Sequence, residues 1–205
     1  MKTVKLLLIS LFVLLSATTA WADIKINKKT FPDAKFRNWV LSQEYGKDGV
    51  LTDNEIANVE QIIVDSLGIK NLKGIEYFTA LKELSCTFNK LTTLDVSKNT
   101  ELARLDCSEN QLTTLDVSKN TALTDLRCYQ NQIRGEAMDS LIASLPDRTD
   151  CEMFSVISTD GNEGNLMTTE QMIAAKAKGW RPSYIRKEHP QQRGIVPNIR
   201  ISRTN

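Results

Sequence analysis

Histidine, the residue that enzymes use most often for proton transfer, occurs once in this 205-residue chain. The single histidine, His189, lies in a segment rich in arginine, proline and glutamine, outside any patterned element that could hold it beside a nucleophile. A catalytic histidine pair or a histidine zinc site needs a rigid shell around that residue. The sequence therefore predicts no catalytic residue, no metal, no other cofactor and no enzymatic activity.

Three of the four cysteines, Cys86, Cys107 and Cys128, recur every 21 residues. On successive parallel strands they would stack about 5 Å apart as small buried apolar groups. Parallel side chains in register fit disulfide geometry poorly, so we expect free thiols at these positions. A bridge from Cys128 to the fourth cysteine, Cys151, is the alternative in an oxidising compartment.

The segment from residue 44 to residue 55 partly matches the calcium loop of a helix-loop-helix site. Asp48 and Glu55 stand at its fifth and twelfth positions, but Glu44 is longer than the usual first aspartate and the third position is a glycine. Thr52 and Glu55 also fit a capping box, which explains Glu55 without a metal. We expect a degenerate, metal-free cap here, with calcium binding as the alternative.

A repeat in the middle of the chain determines which elements position these side chains. Three units begin at Leu81, Leu102 and Leu123 and read LKELSCTFNKLTTLDVSKNTE, LARLDCSENQLTTLDVSKNTA and LTDLRCYQNQI. A fixed period of this size with the pattern L-x-x-L-x-L-x-x-N is typical of leucine-rich repeats, in which each unit is one coil. The sequence predicts an α/β leucine-rich-repeat solenoid with short parallel strands and helical caps at both ends.

Each unit contains the motif twice, which we interpret as two short parallel strands on opposite sides of one coil. Alternation then directs Leu84 and Cys86 inward from the first strand, and Leu94 and Val96 inward from the second. A buried asparagine can satisfy free backbone groups at the turn of each coil. The predicted members of this ladder are Asn89, Asn110 and Asn131.

The repeats and the segment before them resemble a known bacterial family. The run LGIKNLKGIEYF, residues 67–78, looks like the first repeat of internalin-type proteins. The Leu-Asp-Val-Ser-Lys-Asn-Thr units look like the nested repeats of secreted proteins from gut and oral Bacteroidetes. This resemblance covers roughly residues 26–180. It implies an adhesion-type recognition module that binds protein or glycan.

The chain divides into five predicted segments. These are an export signal (1–22), a helical N-terminal cap (23–58), the leucine-rich repeats (59–134), a C-terminal cap of helix, strand and helix (135–182) and a basic tail that we expect to be disordered (183–205). Lys2 and Lys5 precede an apolar run that is too short to cross a bilayer and is followed by small residues, as in an export signal. We therefore expect no transmembrane segment and a secreted, periplasmic or surface-associated protein.

The charge of the chain gives little attraction for nucleic acid. From Asp23 onward there are 24 basic and 25 acidic side chains, whereas the residues from Arg181 onward carry a formal charge of +5. A formal charge of −1 for this part of the chain, with −6 on residues 23–180, offers no general attraction for nucleic acid. The basic tail supports an alternative function, that of an envelope structural or assembly protein tethered to anionic polymers. We expect a monomer.

The two predicted strand faces vary differently from coil to coil. The outward residues of the second strand are identical in two coils: Thr93, Asp95 and Ser97, then Thr114, Asp116 and Ser118. The outward residues of the first strand change: Glu83, Ser85 and Thr87, then Arg104, Asp106 and Ser108, then Asp125, Arg127 and Tyr129. Coil packing needs repetition, whereas recognition of a partner gains from residues that differ at each step.

The first-strand face is therefore the predicted partner-binding site. Its residues are Glu83, Ser85, Arg104, Asp106, Asp125, Arg127 and Tyr129, extended by the tip residues Phe88 and Tyr77. The alternative interpretation is a solvated face, on which the columns Glu83-Arg104-Asp125 and Asp106-Arg127 neutralise their own charges.

Overall fold

The computed structural model describes residues 23–149, 152–158 and 164–185. The predicted export signal, Cys151 with the alternative bridge to Cys128, and residues 186–205 of the basic tail lie outside these ranges. In the described ranges, no helix is both long enough and apolar enough to span a bilayer.

A six-stranded parallel sheet runs the length of the molecule, one strand to each coil. Its strands, in spatial as in chain order, are β3 (Gln61–Ile63), β4 (Glu83–Ser85), β5 (Arg104–Asp106), β6 (Asp125–Arg127), β7 (Glu152–Ser158) and β8 (Trp180–Ile185). Leu84 lies opposite Leu105, which lies opposite Leu126, so equivalent residues of neighbouring coils stack in register. This stacking is the predicted α/β leucine-rich-repeat solenoid.

Helices close the two ends of the sheet. The N-terminal end has α1 (Ala34–Ser42), α2 (Asp53–Asn58) and a small antiparallel pair, β1 (Ile24–Lys25) with β2 (Val50–Leu51). The first coil also contains a 3-10 helix (Ile75–Tyr77). The C-terminal end has α3 (Glu136–Ser144) and α4 (Thr169–Ala177). Each helix presents apolar residues to one continuous core, as the predicted caps require.

Aromatic packing joins the N-terminal cap to the first coil. The Phe31 ring is fully buried and lies 5.7 Å from the ring of Phe36 and 6.4 Å from that of Phe78. Gly74 of the first coil has a φ of 109°, and a Cβ there would lie 2.2 Å from the Phe31 ring. Only glycine satisfies both conditions, so this residue sets how closely cap and coil approach.

The predicted asparagine ladder is present and is longer than predicted. Asn110 donates from Nδ2 to the carbonyl oxygens of Cys86, Cys107 and Ser108, at 2.9, 3.1 and 3.0 Å, and its Oδ1 accepts the Leu91 N–H at 3.0 Å. Asn89 and Asn131 make equivalent bonds. Asn165, which the sequence analysis missed, continues the ladder by accepting the Ile133 N–H at 2.8 Å.

The prediction of a second strand in each coil is wrong. Residues 91–97 and 112–118 form no strand in the structure. The carbonyl of Val96 accepts the Asn99 N–H at 3.0 Å, closing a local turn, and Asn120 Nδ2 donates to the same carbonyl at 3.0 Å. These bonds use backbone groups that a ladder between strands would need. The inward direction of Val96 was nevertheless correct, because its side chain is fully buried.

The C-terminal cap extends further than predicted. The strand of the predicted helix-strand-helix cap is present as β7, with Phe154 opposite Leu126. The helix near Thr168 begins after that residue, because Thr168 and Gln171 form its capping box. Strand β8 continues to Ile185, past the predicted boundary at residue 182, because it pairs with β7 over its length.

Candidate partner-binding surface

The predicted site residues lie together on the solvent-facing side of β4, β5 and β6. In each strand the middle leucine is buried and its two neighbours are partly or fully exposed. Register places Glu83, Arg104 and Asp125 in one column, and Ser85, Asp106 and Arg127 in the next. Tyr129 lies two residues beyond β6 and is partly exposed. We call this surface, extended to β3 and Asp65, the strand face.

The strand face is wider than the predicted site. Gln61 and Ile63 of β3 pair with Glu83 and Ser85, and Met153 of β7 pairs with Asp125. A shallow depression of about 220 Å³ lies over the middle of the face. Its lining includes Ile63 and Asp65 in addition to predicted residues. The sequence offered a signal for these additions, because Ile62 and Val64 alternate inward like Leu84 and Cys86.

Two ion pairs lie on the strand face. Arg104 donates to the carboxylate of Glu83 on the neighbouring strand, which is the predicted neutralising column. The second predicted column is wrong, because Arg127 binds Asp125 of its own strand, with Nη2 2.9 Å and Nε 3.2 Å from the two carboxylate oxygens. The bidentate contact commits the guanidinium to Asp125, although the Arg127 charge still lowers the pKa of the Asp106 carboxyl. Both arginines are therefore paired with acids of the face.

Two carboxylates of the strand face have no such partner. Asp65 accepts the Ser85 hydroxyl at 2.7 Å and the Thr87 N–H at 2.8 Å, and Asp106 accepts the Ser108 N–H at 3.1 Å. Within the described residues, no salt bridge reaches either carboxylate. Burial raises the pKa of the Asp106 carboxyl, and the nearby Asp65 charge raises it further. Beside its depression the face thus keeps two carboxylates, Asp65 and Asp106, that form no direct ion pair in the described residues.

Replacing Asp106 with asparagine is expected to stabilise the fold at neutral pH. The pKa of Asp106 is raised on folding, so its charge destabilises the folded state increasingly as the pH rises from the ordinary value of 3.8 through the folded pKa. Asp106→Asn should therefore raise the melting temperature at pH 7 and change it little at pH 3. Thermal unfolding at both pH values measures this.

Asp95 supplies a control of opposite sign for this measurement. Hydrogen bonds from the Ser97 backbone and side chain lower the pKa of the Asp95 carboxyl, so its charge stabilises the fold above pH 3.8. Asp95→Asn should lower the melting temperature at pH 7. Equal shifts at the two pH values for Asp106→Asn would contradict the burial of its charge.

Phe88 occupies an unusual backbone position at the end of the strand face. It has a φ of 52°, like its equivalents in the other coils, Ser66, Glu109 and Gln130. The left-handed region is disfavoured for residues other than glycine, asparagine and aspartate. The Phe88 side chain is also 52% exposed. Neither backbone preference nor core packing explains a phenylalanine at this position.

Two further residues do not lie where the sequence analysis expected them. Tyr77, predicted beside Phe88, packs instead on Phe31 of the N-terminal cap, with 5.7 Å between the ring centroids, because the 3-10 helix turns it toward that cap. Ser108, predicted to face outward, is fully buried. The Asp106 carboxylate bends back to accept the Ser108 N–H, which brings that residue under the face.

The cysteines form a buried column behind the strand face. Cys86, Cys107 and Cys128 are fully buried, as predicted, and Cys86 and Cys107 are free thiols. The thiols of Cys86 and Cys107 donate weakly to carbonyl oxygens of the next strand, those of Asp106 and Arg127, each at 3.5 Å. Burial raises the pKa of both thiols. They serve as core residues rather than nucleophiles.

The calcium-like loop uses its acids in local contacts. The Glu55 carboxylate accepts both the N–H and the hydroxyl of Thr52 at 2.8 Å, which completes the predicted capping box. Glu44 pairs with Lys47, and Asp48 accepts the Val50 N–H at 3.0 Å. Across the described ranges, no group of three or more histidine, cysteine or acidic side chains is placed to hold a metal ion. The metal-free character of the loop stays a prediction.

Comparison with known proteins relates this chain to the internalins. No protein-family model matches it. Over 71 residues, the chain is 38% identical to internalin J of Listeria monocytogenes serotype 4b (strain F2365), a match that covers 34% of this chain and 8% of internalin J.

Solved internalin structures have the same fold. Internalin C2 of L. monocytogenes matches with a TM-score of 0.59 and 17% identity, over 82% of this chain and 71% of that one. The functional domain of internalin J from L. monocytogenes, described as including a cysteine ladder, matches with a TM-score of 0.53 and 24% identity, over 76% of this chain and 37% of that one. The chain therefore has the leucine-rich-repeat solenoid fold of the internalins, with internalin-like repeats.

Proposed function

We propose that this protein is an extracytoplasmic recognition module that binds a protein or glycan partner through its strand face. The internalin-like fold supports a protein-interaction role in general. The observation that carries the specific proposal is the contrast between faces of the same coils. Arg104, Asp106 and Arg127 change along the strand face, whereas Thr93 and Thr114 repeat on the opposite surface although both are exposed.

Packing does not account for this contrast. The coil interior requires the leucines, cysteines and asparagines, which repeat in every unit. The exposed residues of the strand face are free of that requirement, and they differ in charge and size from coil to coil. A parallel sheet also fixes their spacing, so the face presents its groups in a preorganised pattern.

Loss of binding by a variant of the strand face tests the proposal. The chain from Asp23 to Asn205 serves as bait for affinity capture on fractions of the surrounding cells, beside a triple variant, Arg104→Ala, Arg127→Ala and Tyr129→Ala. Interface arginines and tyrosines often contribute 2 kcal/mol or more, roughly a 30-fold change in Kd. We expect the triple variant to bind the captured partner at least about tenfold more weakly.

A matched control variant shows whether a loss of binding is due to the strand face itself or to the loss of positive charge in general. The substitutions Lys98→Ala, Lys119→Ala and Thr114→Ala also remove two cations and one hydroxyl, all from exposed positions on the opposite surface. The control should bind like the unaltered protein. Unchanged binding by the strand-face variant, or equal loss by both variants, would remove the strand face as the site.

A further inference from the structure

Three exposed apolar residues of the first two coils lie on the strand face or in the turns that follow its strands. Ile63, Leu67 and Phe88 are 49%, 37% and 52% exposed. The Ser66 N–H donates to the Thr87 carbonyl at 2.9 Å, so the turns that carry Leu67 and Phe88 are neighbours. We call these three residues the Phe88 patch. Large exposed apolar side chains on neighbouring turns favour a surface that contacts a partner.

Phe88 is the residue of this patch that is least favoured by its backbone conformation. Its coil equivalents at positive φ are Ser66, Glu109 and Gln130, all polar. A bulky aromatic residue in the left-handed region has a strained backbone, and Phe88 is about half exposed instead of packed in the core. A residue that is unfavourable for both the backbone and solvation is best explained by a contact that the isolated chain does not make.

An acid lies directly beside the patch. The Asp65 carboxylate accepts the Thr87 N–H at 2.8 Å, which places it one residue from Phe88. Asp65 also belongs to the depression of the strand face, together with Ile63 and Asp106. The two arginines of the face are paired with Glu83 and Asp125, so the charge left for a partner near Phe88 is negative.

We infer that the Phe88 ring is a strained aromatic anchor for a polypeptide segment that packs apolar side chains on the Phe88 patch and directs a lysine or arginine to Asp65 and Asp106. This inference rests on the proposed function, because it identifies the partner of the same surface as protein. The ring supplies apolar contact area at the rim of the site. The acids select a basic segment over a neutral one.

The first test measures stability without any partner. Phe88→Gly relieves the strain at φ 52°, and we expect the unfolding equilibrium constant to fall about fivefold or more, with a melting temperature about 2–4 °C higher. The control Ser66→Gly, at a φ of 58°, relieves the same kind of strain without removing an aromatic ring and should gain a similar amount. A clear loss of stability for Phe88→Gly alone would show that the fold needs the ring and would overturn the inference.

The second test measures binding with a displayed library of random 12-residue peptides. Peptides selected on the unaltered protein should combine apolar residues with lysine or arginine. They should bind Phe88→Gly at least about tenfold more weakly and bind Gln130→Gly without change. High salt should also weaken them. Peptides without basic residues, or equal binding to Phe88→Gly and the unaltered protein, would overturn the inference.

The strand-face variant distinguishes the two proposals. If the peptides lose affinity for the variant of Arg104, Arg127 and Tyr129 but not for Phe88→Gly, the proposed function stands and the anchor is rejected. If they bind both variants normally, the anchor is rejected, and the capture experiment alone decides the proposed function. If they lose affinity for Phe88→Gly alone, the anchor stands and the binding surface is confined to the first coils.

Discussion

Replacing Asn110 with alanine is expected to lower the free energy of unfolding by about 3–5 kcal/mol. Its side chain is 8% exposed and satisfies the Leu91 N–H and the carbonyl oxygens of Cys86, Cys107 and Ser108. Alanine would leave these groups unpaired in the interior, and each unpaired group is unfavourable by about 1–3 kcal/mol. Urea unfolding followed by circular dichroism measures the change.

Asn120 provides the matched control for this prediction. It is also buried, but it donates only to the carbonyls of Val96 and Asn99, at 3.0 and 2.8 Å, and its Oδ1 has no hydrogen-bond partner. Asn120→Ala therefore removes fewer bonds and one unsatisfied oxygen. We expect a loss clearly smaller than that of Asn110→Ala. Equal losses would mean that side-chain volume, and not hydrogen bonding, makes the asparagines necessary.

Trp180→Ala is expected to lower the free energy of unfolding by about 3–5 kcal/mol, the usual range for a fully buried tryptophan. Trp180 is 1% exposed, its indole N–H donates to the Pro146 carbonyl at 2.7 Å, and its ring meets that of Phe154 edge-on at a centroid distance of 6.3 Å. These contacts hold β8 and α3 to the end of the sheet. Chemical unfolding measures the loss of stability, and hydrogen exchange shows which strands lose protection.

Hydrogen exchange should show where the Trp180 variant loosens. Amides of β7 and β8 should lose protection first, while those of β4 and β5 stay protected at low denaturant, because each coil contacts mainly its neighbours. Ile173→Ala is the control within the same cap, since Ile173 is 62% exposed and its loss should change stability by less than about 0.5 kcal/mol. Uniform loss of protection across the sheet would contradict the expectation that β7 and β8 open before β4 and β5.

Residue spacing was sufficient to predict the sheet and the asparagine ladder. Strands β4, β5 and β6 lie where a leucine recurs every 21 residues, because a coil can bury its interior only if inward positions repeat. Asn110 was predicted for the same reason. Asn165 was missed because 34 residues separate it from Asn131, across a longer excursion that contains α3 and β7.

The errors concern features that spacing does not determine. The turn at Val96 follows from a local hydrogen bond that competes with strand pairing, and alternation alone gives no sign of that competition. Asp125 and Asp106 are both within reach of the long Arg127 side chain, so residue spacing does not determine that Arg127 binds Asp125. The position of Tyr77 depends on how the first coil packs against Phe31, which is a tertiary contact. The outward direction of the predicted site residues needed only alternation along a strand.

We expect the two asparagine ladders to give the solenoid unequal stiffness along its two edges. Asn89, Asn110 and Asn131 clamp neighbouring coils through both ends of their amides, whereas Asn99 and Asn120, on the opposite edge, each leave the oxygen unused. When the coils bend thermally, the weaker edge should open and close while the strand edge keeps its spacing. A rigid ligand could then span several coils without waiting for the sheet to adjust, so slow structural rearrangement should not limit its association rate.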